Sequence, residues 1–143
     1  MSYETIFVTG ASGLLGSNIC RIAAAEGRHV RGLVRNQDDA AILTSIGVEP
    51  FIGDIRDQES FAPALRGDVG VIHSAAVLSG TWSNAQEDDF EQINYQGTHR
   101  LLDAAKEAGA KRTVVVSSLA IADMTHTITE TSPLIAVNAV ERG

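Results

Sequence analysis

The chain has 143 residues, a length that suits one domain with an ordinary hydrophobic core. Hydrophobic residues make up 44% and charged residues 20%, a balance typical of a globular protein. The net charge of −7 argues against nucleic acid or an anionic membrane as a partner, and no apolar run reaches the ~20 residues that cross a bilayer. No signal peptide is recognisable before the first apolar run, so we expect a cytoplasmic protein.

Residues 6–8 form a short apolar strand, and apolar residues at helical spacing begin at Leu15. Between them, a Gly-x-x-Gly-x-x-Gly turn indicates a dinucleotide site: Gly10 for a tight turn, Gly13 for the approach of a pyrophosphate, and Gly16 for close helix packing. The helix N-terminus would offer N–H groups to that anion. Glycine turns that bind nothing also exist, but the flanking strand and helix favour a site. We predict cofactor contacts from Gly10, Ser12, Gly13, Leu14, Leu15 and Gly16.

The glycine spacing, opened by Thr9, resembles that of the short-chain dehydrogenase/reductase superfamily. Later motifs narrow the resemblance to its extended branch, the NAD(P)-dependent epimerase/dehydratase family. The resemblance runs from about Thr5 to the C-terminus. It implies a nicotinamide cofactor and hydride transfer to or from a small-molecule substrate.

Residues 30–34 read as a second strand, and Arg35 stands at its end, where an acidic residue would take the ribose hydroxyls of NAD. An arginine there suits the 2′-phosphate of NADP, and NADP-using members of the resembled family also end this strand with Val-Arg. NADP is therefore favoured over NAD. The alternative is that Arg35 is a solvated charge at a strand end. A short helix over residues 38–46 is predicted next, with Ala41, Ile42 and Ile46 facing inward.

A third strand over residues 48–52 leads into Gly53-Asp54-Ile55-Arg56-Asp57, which resembles a Gly-Asp-(apolar)-x-Asp motif of the family. The resemblance implies that Asp54 accepts a hydrogen bond from the adenine amino group and that Ile55 packs on the ring. Asp54 by itself is equally compatible with a turn residue. Asp57 is predicted to cap the following helix.

The fourth strand, residues 69–72, runs into His73-Ser74-Ala75-Ala76, which resembles the His-x-Ala-Ala step of the family. Ala75 and Ala76 would let the strand end pass under the cofactor ribose. We expect His73 to be packed or bonded to the backbone rather than catalytic. In the loop that follows, Trp82 either stacks on a substrate ring or packs at an edge.

A capping-box pattern at Asn84 begins a long predicted helix that ends at Gly109. Asn94 opens an Asn-x-x-Gly-Thr motif that resembles the family's, where this asparagine ties the helix to the sheet. The mid-helix Gly97 predicts close packing. A fifth strand follows over residues 112–117, and the resemblance implies that Ser118 polarises the substrate oxygen.

The Tyr-x-x-x-Lys pair of the resembled family has no counterpart here, because the tyrosines are Tyr3 and Tyr95 and neither has a lysine four residues on. Residues 1–143 are therefore expected to form an NAD(P)-binding domain that ends before that helix, with the substrate domain absent. Four scattered histidines and the single Cys20 predict no metal site and no disulfide. Cys20 is expected to be a small buried side chain.

Strands alternating with helices predict an α/β fold: a doubly wound, Rossmann-like parallel sheet in the order 3-2-1-4-5. The favoured function is the NADP-binding part of an enzyme that acts on a sugar nucleotide or on a small carbonyl or hydroxyl metabolite. The alternative is a non-catalytic dinucleotide-binding module that senses or docks. The partners expected are a small-molecule substrate and, from the resemblance, a second copy in a homodimer that uses the helix of Tyr95.

Overall fold

A computed structural model describes residues 4–78, 87–123 and 125–134. Five parallel strands form one sheet in the order β3-β2-β1-β4-β5, which confirms the predicted doubly wound fold. The strands are β1 (Thr5–Thr9), β2 (His29–Val34), β3 (Glu49–Ile52), β4 (Val69–His73) and β5 (Arg112–Val115).

Helices connect these strands. The first three are α1 (Leu14–Ala25), α2 (Gln37–Ser45) and the short α3 (Gln58–Phe61), which continues as a 3-10 turn over Ala62–Leu65. Asp57 caps α3 as predicted, since its side chain accepts from the backbone N–H of Glu59 at 3.1 Å. Among the described helices, none combines the length and the hydropathy needed to cross a bilayer.

The long helix before β5 is not one uninterrupted α-helix. Its described part begins with α4 (Glu87–Asp89), passes through a π-helical segment (Phe90–Tyr95), and continues as α5 (Gln96–Glu107). The predicted capping residue Asn84 lies outside the described residues. A π-helical turn widens the helix locally and is frequent at functional sites. This one contains Asn94, one of the predicted site residues.

Two hydrophobic clusters cover the two faces of the sheet. One face carries Phe7, Val71 and the apolar residues of α3 and α5, while Val8 and Val30 on the other face pack against α1 and α2. Cys20 belongs to the second cluster, is fully buried as expected, and burial raises the pKa of its thiol to about 11. The thiol is therefore protonated and unreactive near neutral pH.

The predicted inward face of α2 is wrong at Ala41 and Ile42, which are exposed, whereas Ala40 and Leu43 are buried. The third predicted residue, Ile46, is partly buried and packs against the cluster that contains Leu43, as predicted. The helix begins one residue earlier than expected, because Asn36 caps it by accepting from the Asp39 N–H at 2.8 Å. Leu43 then reaches β2 at a glycine, where a Cβ on Gly32 would lie 2.5 Å from Leu43 Cδ1.

Strand order reverses between β1 and β4. These two strands are paired in register from Thr5↔Val69 to Thr9↔His73, and the connections of β1 and β4 leave the sheet in opposite directions from that point. In open α/β sheets, the crevice at such a switch point, outside the carboxyl ends of the strands, is where ligands bind.

Candidate functional site

A cavity of about 250 Å³ opens at the carboxyl ends of β1, β2, β3 and β4. Eight of the predicted site residues line it: Gly10, Ser12, Gly13, Arg35, Asp54, Ile55, Ala75 and Ala76. They come from four separate strand ends, and the parallel sheet brings them to one edge.

In the glycine turn after β1, two of the three glycines pack so tightly against neighbouring backbone that no side chain fits. Gly10 has a left-handed φ of +66°, and a Cβ there would lie 2.8 Å from the backbone nitrogen of Ala75. A Cβ on Gly16 would lie 2.0 Å from the carbonyl oxygen of Gly10. Neither position accommodates a side chain without movement of backbone, so both glycines are required by packing alone.

Gly13 differs from its two neighbours. Its φ of −75° is open to any residue, and among the described residues a Cβ there would meet only the Gly10 carbonyl oxygen, at 3.2 Å. The first N–H groups of any α-helix have no acceptor within the helix. In α1 the N-cap is Gly13, which has no side chain that could accept from them. The first turn of α1 also contains no acidic residue. The glycine at this position therefore keeps space in front of a helix N-terminus that suits an anion.

Arg35, the residue predicted to bind the 2′-phosphate of NADP, lies directly after β2. It is exposed and lines the cavity, and its charge adds to the lowering of the Asp54 pKa, which comes mainly from a hydrogen bond with the Arg56 side chain. The acids of the α2 first turn, Asp38 and Asp39, do not line the cavity. Asp39 is engaged by the capping residue, since Asn36 Nδ2 donates to Asp39 Oδ2 at 3.1 Å.

The loop after β3 is held in one conformation around Asp54. The backbone N–H of Asp54 donates to the Ser60 hydroxyl at 3.0 Å, and that hydroxyl donates to the Asp57 carbonyl at 2.7 Å. Ile55 is buried beneath α5, where a Cβ on Gly97 would lie 3.0 Å from its Cγ2. Gly97 is therefore a close-packing glycine, as predicted, and it packs against the residue predicted to touch adenine.

His73 is a buried residue on β4 that links this strand to β1 and α5 through hydrogen bonds. Its Nδ1 lies 2.6 Å from Thr9 Oγ1, and its Nε2 lies 2.8 Å from Thr98 Oγ1. It is 3% exposed, and burial lowers its pKa from 6.5 to about 4. This confirms a packed histidine, but the partners of its ring are the side-chain hydroxyls of Thr9 and Thr98 rather than the backbone.

The hydrogen-bond partners of the two ring nitrogens determine the tautomer of His73. Thr98 donates its hydroxyl hydrogen to the Asn94 carbonyl, so it accepts from His73 Nε2–H. His73 Nδ1 is then the acceptor of the Thr9 hydroxyl, which in turn accepts from the Ala75 N–H at 3.3 Å. A neutral imidazole satisfies every member of this chain, whereas a charged one would donate from Nδ1 to Thr9 Oγ1 and take away the acceptor of the Thr9 hydroxyl hydrogen.

Asn94 holds the segment that follows β4. Its Oδ1 accepts from Val77 N–H at 2.8 Å, and its Nδ2 donates to the Val77 carbonyl at 3.0 Å. The amide thus satisfies both backbone groups of one residue, as a neighbouring strand would. Val77 lines the cavity, so Asn94 acts on the cavity wall through it.

Five predicted site residues are not part of the cavity wall: Leu14, Leu15, Gly16, Asn94 and Ser118. Leu14 and Leu15 lie in the first turn of α1 with exposed side chains, and Ser118 is exposed after β5, where its carbonyl accepts from the Ile121 N–H at 3.4 Å. Their predicted roles, like the cofactor contacts of the other residues, stay predictions. Trp82 lies outside the described residues.

The cavity also has six lining residues that the sequence reasoning missed: Leu33, Val34, Gly53, Ser74, Val77 and Ile93. Most of them directly precede or follow a predicted residue, so strand ends are a usable signal. Ile93 comes from the π-helical segment, and nothing in the sequence indicates that it reaches this edge. Within the part of the chain that the structure describes, no three His, Cys, Asp or Glu side chains cluster as a metal site would require.

A model of the NAD dependent epimerase/dehydratase family matches residues 6–140. The chain is 40% identical over 114 residues to sterol demethylase protein B of Methylococcus capsulatus, a match that covers 80% of this chain and 34% of that protein.

Solved structures of proteins with the same fold also match this chain. A short-chain dehydrogenase/reductase superfamily protein from Agrobacterium tumefaciens with bound NAD has a TM-score of 0.81 and 30% identity, covering 96% of this chain and 41% of that one. UDP-glucose-4-epimerase from Stenotrophomonas maltophila, with bound NAD and formylated UDP-arabinopyranose, has a TM-score of 0.80 and 25% identity, covering 98% and 45%. The chain thus spans between a third and a half of the length of these proteins.

Proposed function

This chain belongs to the NAD dependent epimerase/dehydratase family, and from that premise we propose that its residues form an NADP(H)-binding domain of an oxidoreductase or epimerase. The enzyme would act on a sugar nucleotide or on a small metabolite that carries a carbonyl or hydroxyl group. One observation carries the proposal: the open turn at Gly13 lies in one cavity with a cation, Arg35, and an acceptor, Asp54.

The residues present fit a dinucleotide at each of its parts. The α1 N-terminus, free of acids and opened by Gly13, suits the pyrophosphate. Ile55 and Asp54 offer an apolar wall and a hydrogen-bond acceptor for adenine. Ala75 and Ala76 leave room beside the switch point for the ribose on the nicotinamide side.

Arg35 supports NADP as the cofactor. A planar guanidinium binds a phosphate through paired, charge-assisted hydrogen bonds, and no carboxylate stands at the strand end to exclude the phosphate. The bound NAD of the Agrobacterium protein belongs to a relative that is 30% identical, so the choice between the two cofactors depends on this chain's own residues.

When bound, the nicotinamide supplies or accepts the hydride. The described residues bind and orient that group: the His73 chain of hydrogen bonds holds the Ala75 segment, and Asn94 holds Val77. Ser118, which follows β5, is proposed to donate a hydrogen bond to the substrate oxygen.

The proposal is tested by the substitution Arg35→Asp. NADPH affinity is expected to fall by about 2 kcal/mol, roughly thirty-fold, because one charge-assisted interaction with the 2′-phosphate is replaced by repulsion. NADH affinity should change little. Calorimetric titration of both cofactors measures the two effects.

The matched control is Arg66→Asp, which makes the same change of charge at an exposed arginine before β4, at the opposite end of the strands. It should leave both affinities unchanged. Equal losses for NADPH and NADH in Arg35→Asp, or a wild type that prefers NADH, would show that Arg35 merely ends a strand.

A further inference from the structure

Arg56 donates hydrogen bonds to both carboxylate oxygens of Asp54. Asp54 Oδ1 accepts from the backbone N–H of Arg56 and from its Nε, each at 2.9 Å, and Oδ2 accepts from Nη2 at 2.7 Å. The side-chain hydrogen bond from Arg56 is the main reason why the pKa of Asp54 lies below its ordinary 3.8. Asp54 is therefore an anion that only accepts hydrogen bonds.

The same contact leaves Asp54 with little freedom. Ser60 fixes the backbone of the loop on one side, and the guanidinium fork fixes the side-chain rotamer on the other. A fork contact constrains direction as well as distance, which a single ammonium group does not.

A count of acceptor sites shows what remains for a ligand. A carboxylate has about four lone-pair sites, two on each oxygen. Both sites of Oδ1 and one site of Oδ2 are taken by Arg56. Among the residues that the structure describes, Asp54, which lines the cavity, thus has one acceptor site left, on Oδ2.

We propose that Arg56 is a positioning residue that holds this single acceptor toward the base of the bound nucleotide and so makes the site select a 6-aminopurine over a 6-oxopurine. The inference rests on the proposed function, in which this side of the cavity takes the adenosine end of NADP(H). An exocyclic amino group donates to the remaining lone pair. A 6-oxo group at the same place would bring one acceptor against another.

The test compares NADPH with its hypoxanthine counterpart, reduced nicotinamide hypoxanthine dinucleotide phosphate, by calorimetric titration. For the wild type, we expect about ten-fold tighter binding of the adenine form, the low end of what a hydrogen bond to a charged group contributes. In Arg56→Met, that ratio should fall by at least about three-fold. Arg56→Lys should restore it only in part, because lysine lacks the fork.

The ratio isolates positioning from general effects, since a change in fold or in net charge acts on both dinucleotides alike. Arg66→Met, which removes an exposed arginine away from the cavity, should keep the wild-type ratio. Asp54→Asn adds a positive arm: its amide can donate to a 6-oxo group, so the preference should shift toward the hypoxanthine form.

The possible failures are distinguishable. If the wild type binds neither dinucleotide, the proposed function itself is overturned. If the wild type binds both equally, base selection by Asp54 is wrong while cofactor binding stands. If Arg56→Met keeps the wild-type ratio, Arg56 does not position the carboxylate.

Discussion

Gly13→Val is expected to abolish dinucleotide binding while the domain stays folded. The new side chain would occupy the space before the α1 N-terminus, where the pyrophosphate must approach the backbone N–H groups. Loss of these charge-assisted hydrogen bonds corresponds to roughly 3 kcal/mol or more, about a hundred-fold in Kd. Calorimetric titration with NADPH measures the affinity, and circular dichroism with urea unfolding measures the fold.

The neighbouring glycine supplies the contrast. Gly13 has an ordinary φ, and its added Cβ meets one carbonyl oxygen at 3.2 Å, so a small adjustment suffices. Gly16→Ala would instead place a methyl group 2.0 Å from the Gly10 carbonyl, and we expect it to unfold or strongly destabilise the chain. A folded Gly13→Val protein with unchanged NADPH affinity would show that the turn does not bind a phosphate.

The stability of the domain is expected to fall by about 3 kcal/mol as the pH is lowered from about 6.5 to about 4. The cause is His73, whose pKa in the folded state is about 4 because it is buried. In the unfolded chain a histidine titrates near 6.5. Between pH 6.5 and pH 4 the histidine is protonated in the unfolded chain but neutral in the folded one, so lowering the pH favours unfolding. Below about pH 4 the contribution of His73 is fully lost.

Urea unfolding from pH 7 to pH 4 of the wild type and of His73→Gln measures this effect. Glutamine can accept from Thr9 and donate to Thr98, yet it does not titrate, so the difference between the two pH curves belongs to His73. Asp54 loses its contribution only below its own ordinary 3.8, outside this range. NMR of the imidazole gives an independent measurement. Parallel stability curves, or a midpoint near 6.5 for His73, would contradict the assignment of a buried neutral imidazole.

Much of the candidate site could be read from the sequence because parallel strands end at a common edge. Arg35, Asp54 and Ala75 each follow a predicted strand, and the structure brings them to one cavity. The cap at Asp57 and the packing glycine Gly97 were likewise predictable, since each depends on a local rule about helix ends or helix interiors.

The errors arose where a local pattern has more than one outcome. Helical periodicity does not fix the rotation of a short helix, and in α2 Ala40 and Leu43, rather than Ala41 and Ile42, pack against the core. Periodicity likewise does not show that Ile93, which packs against the core from the π-helical segment, also reaches the cavity.

By itself, the sequence determined the family, the strand order and the place of the candidate site, because strand and helix periodicity and the glycine spacing can be recognised within short segments. Only the tertiary structure decided which polar groups meet. His73 finds its partners 64 and 25 residues away in the chain, and that pairing decides its tautomer, while its burial between the packed elements lowers its pKa. Such contacts depend on how whole elements pack against one another, since burial and hydrogen-bond geometry are properties of the assembled fold rather than of any one segment.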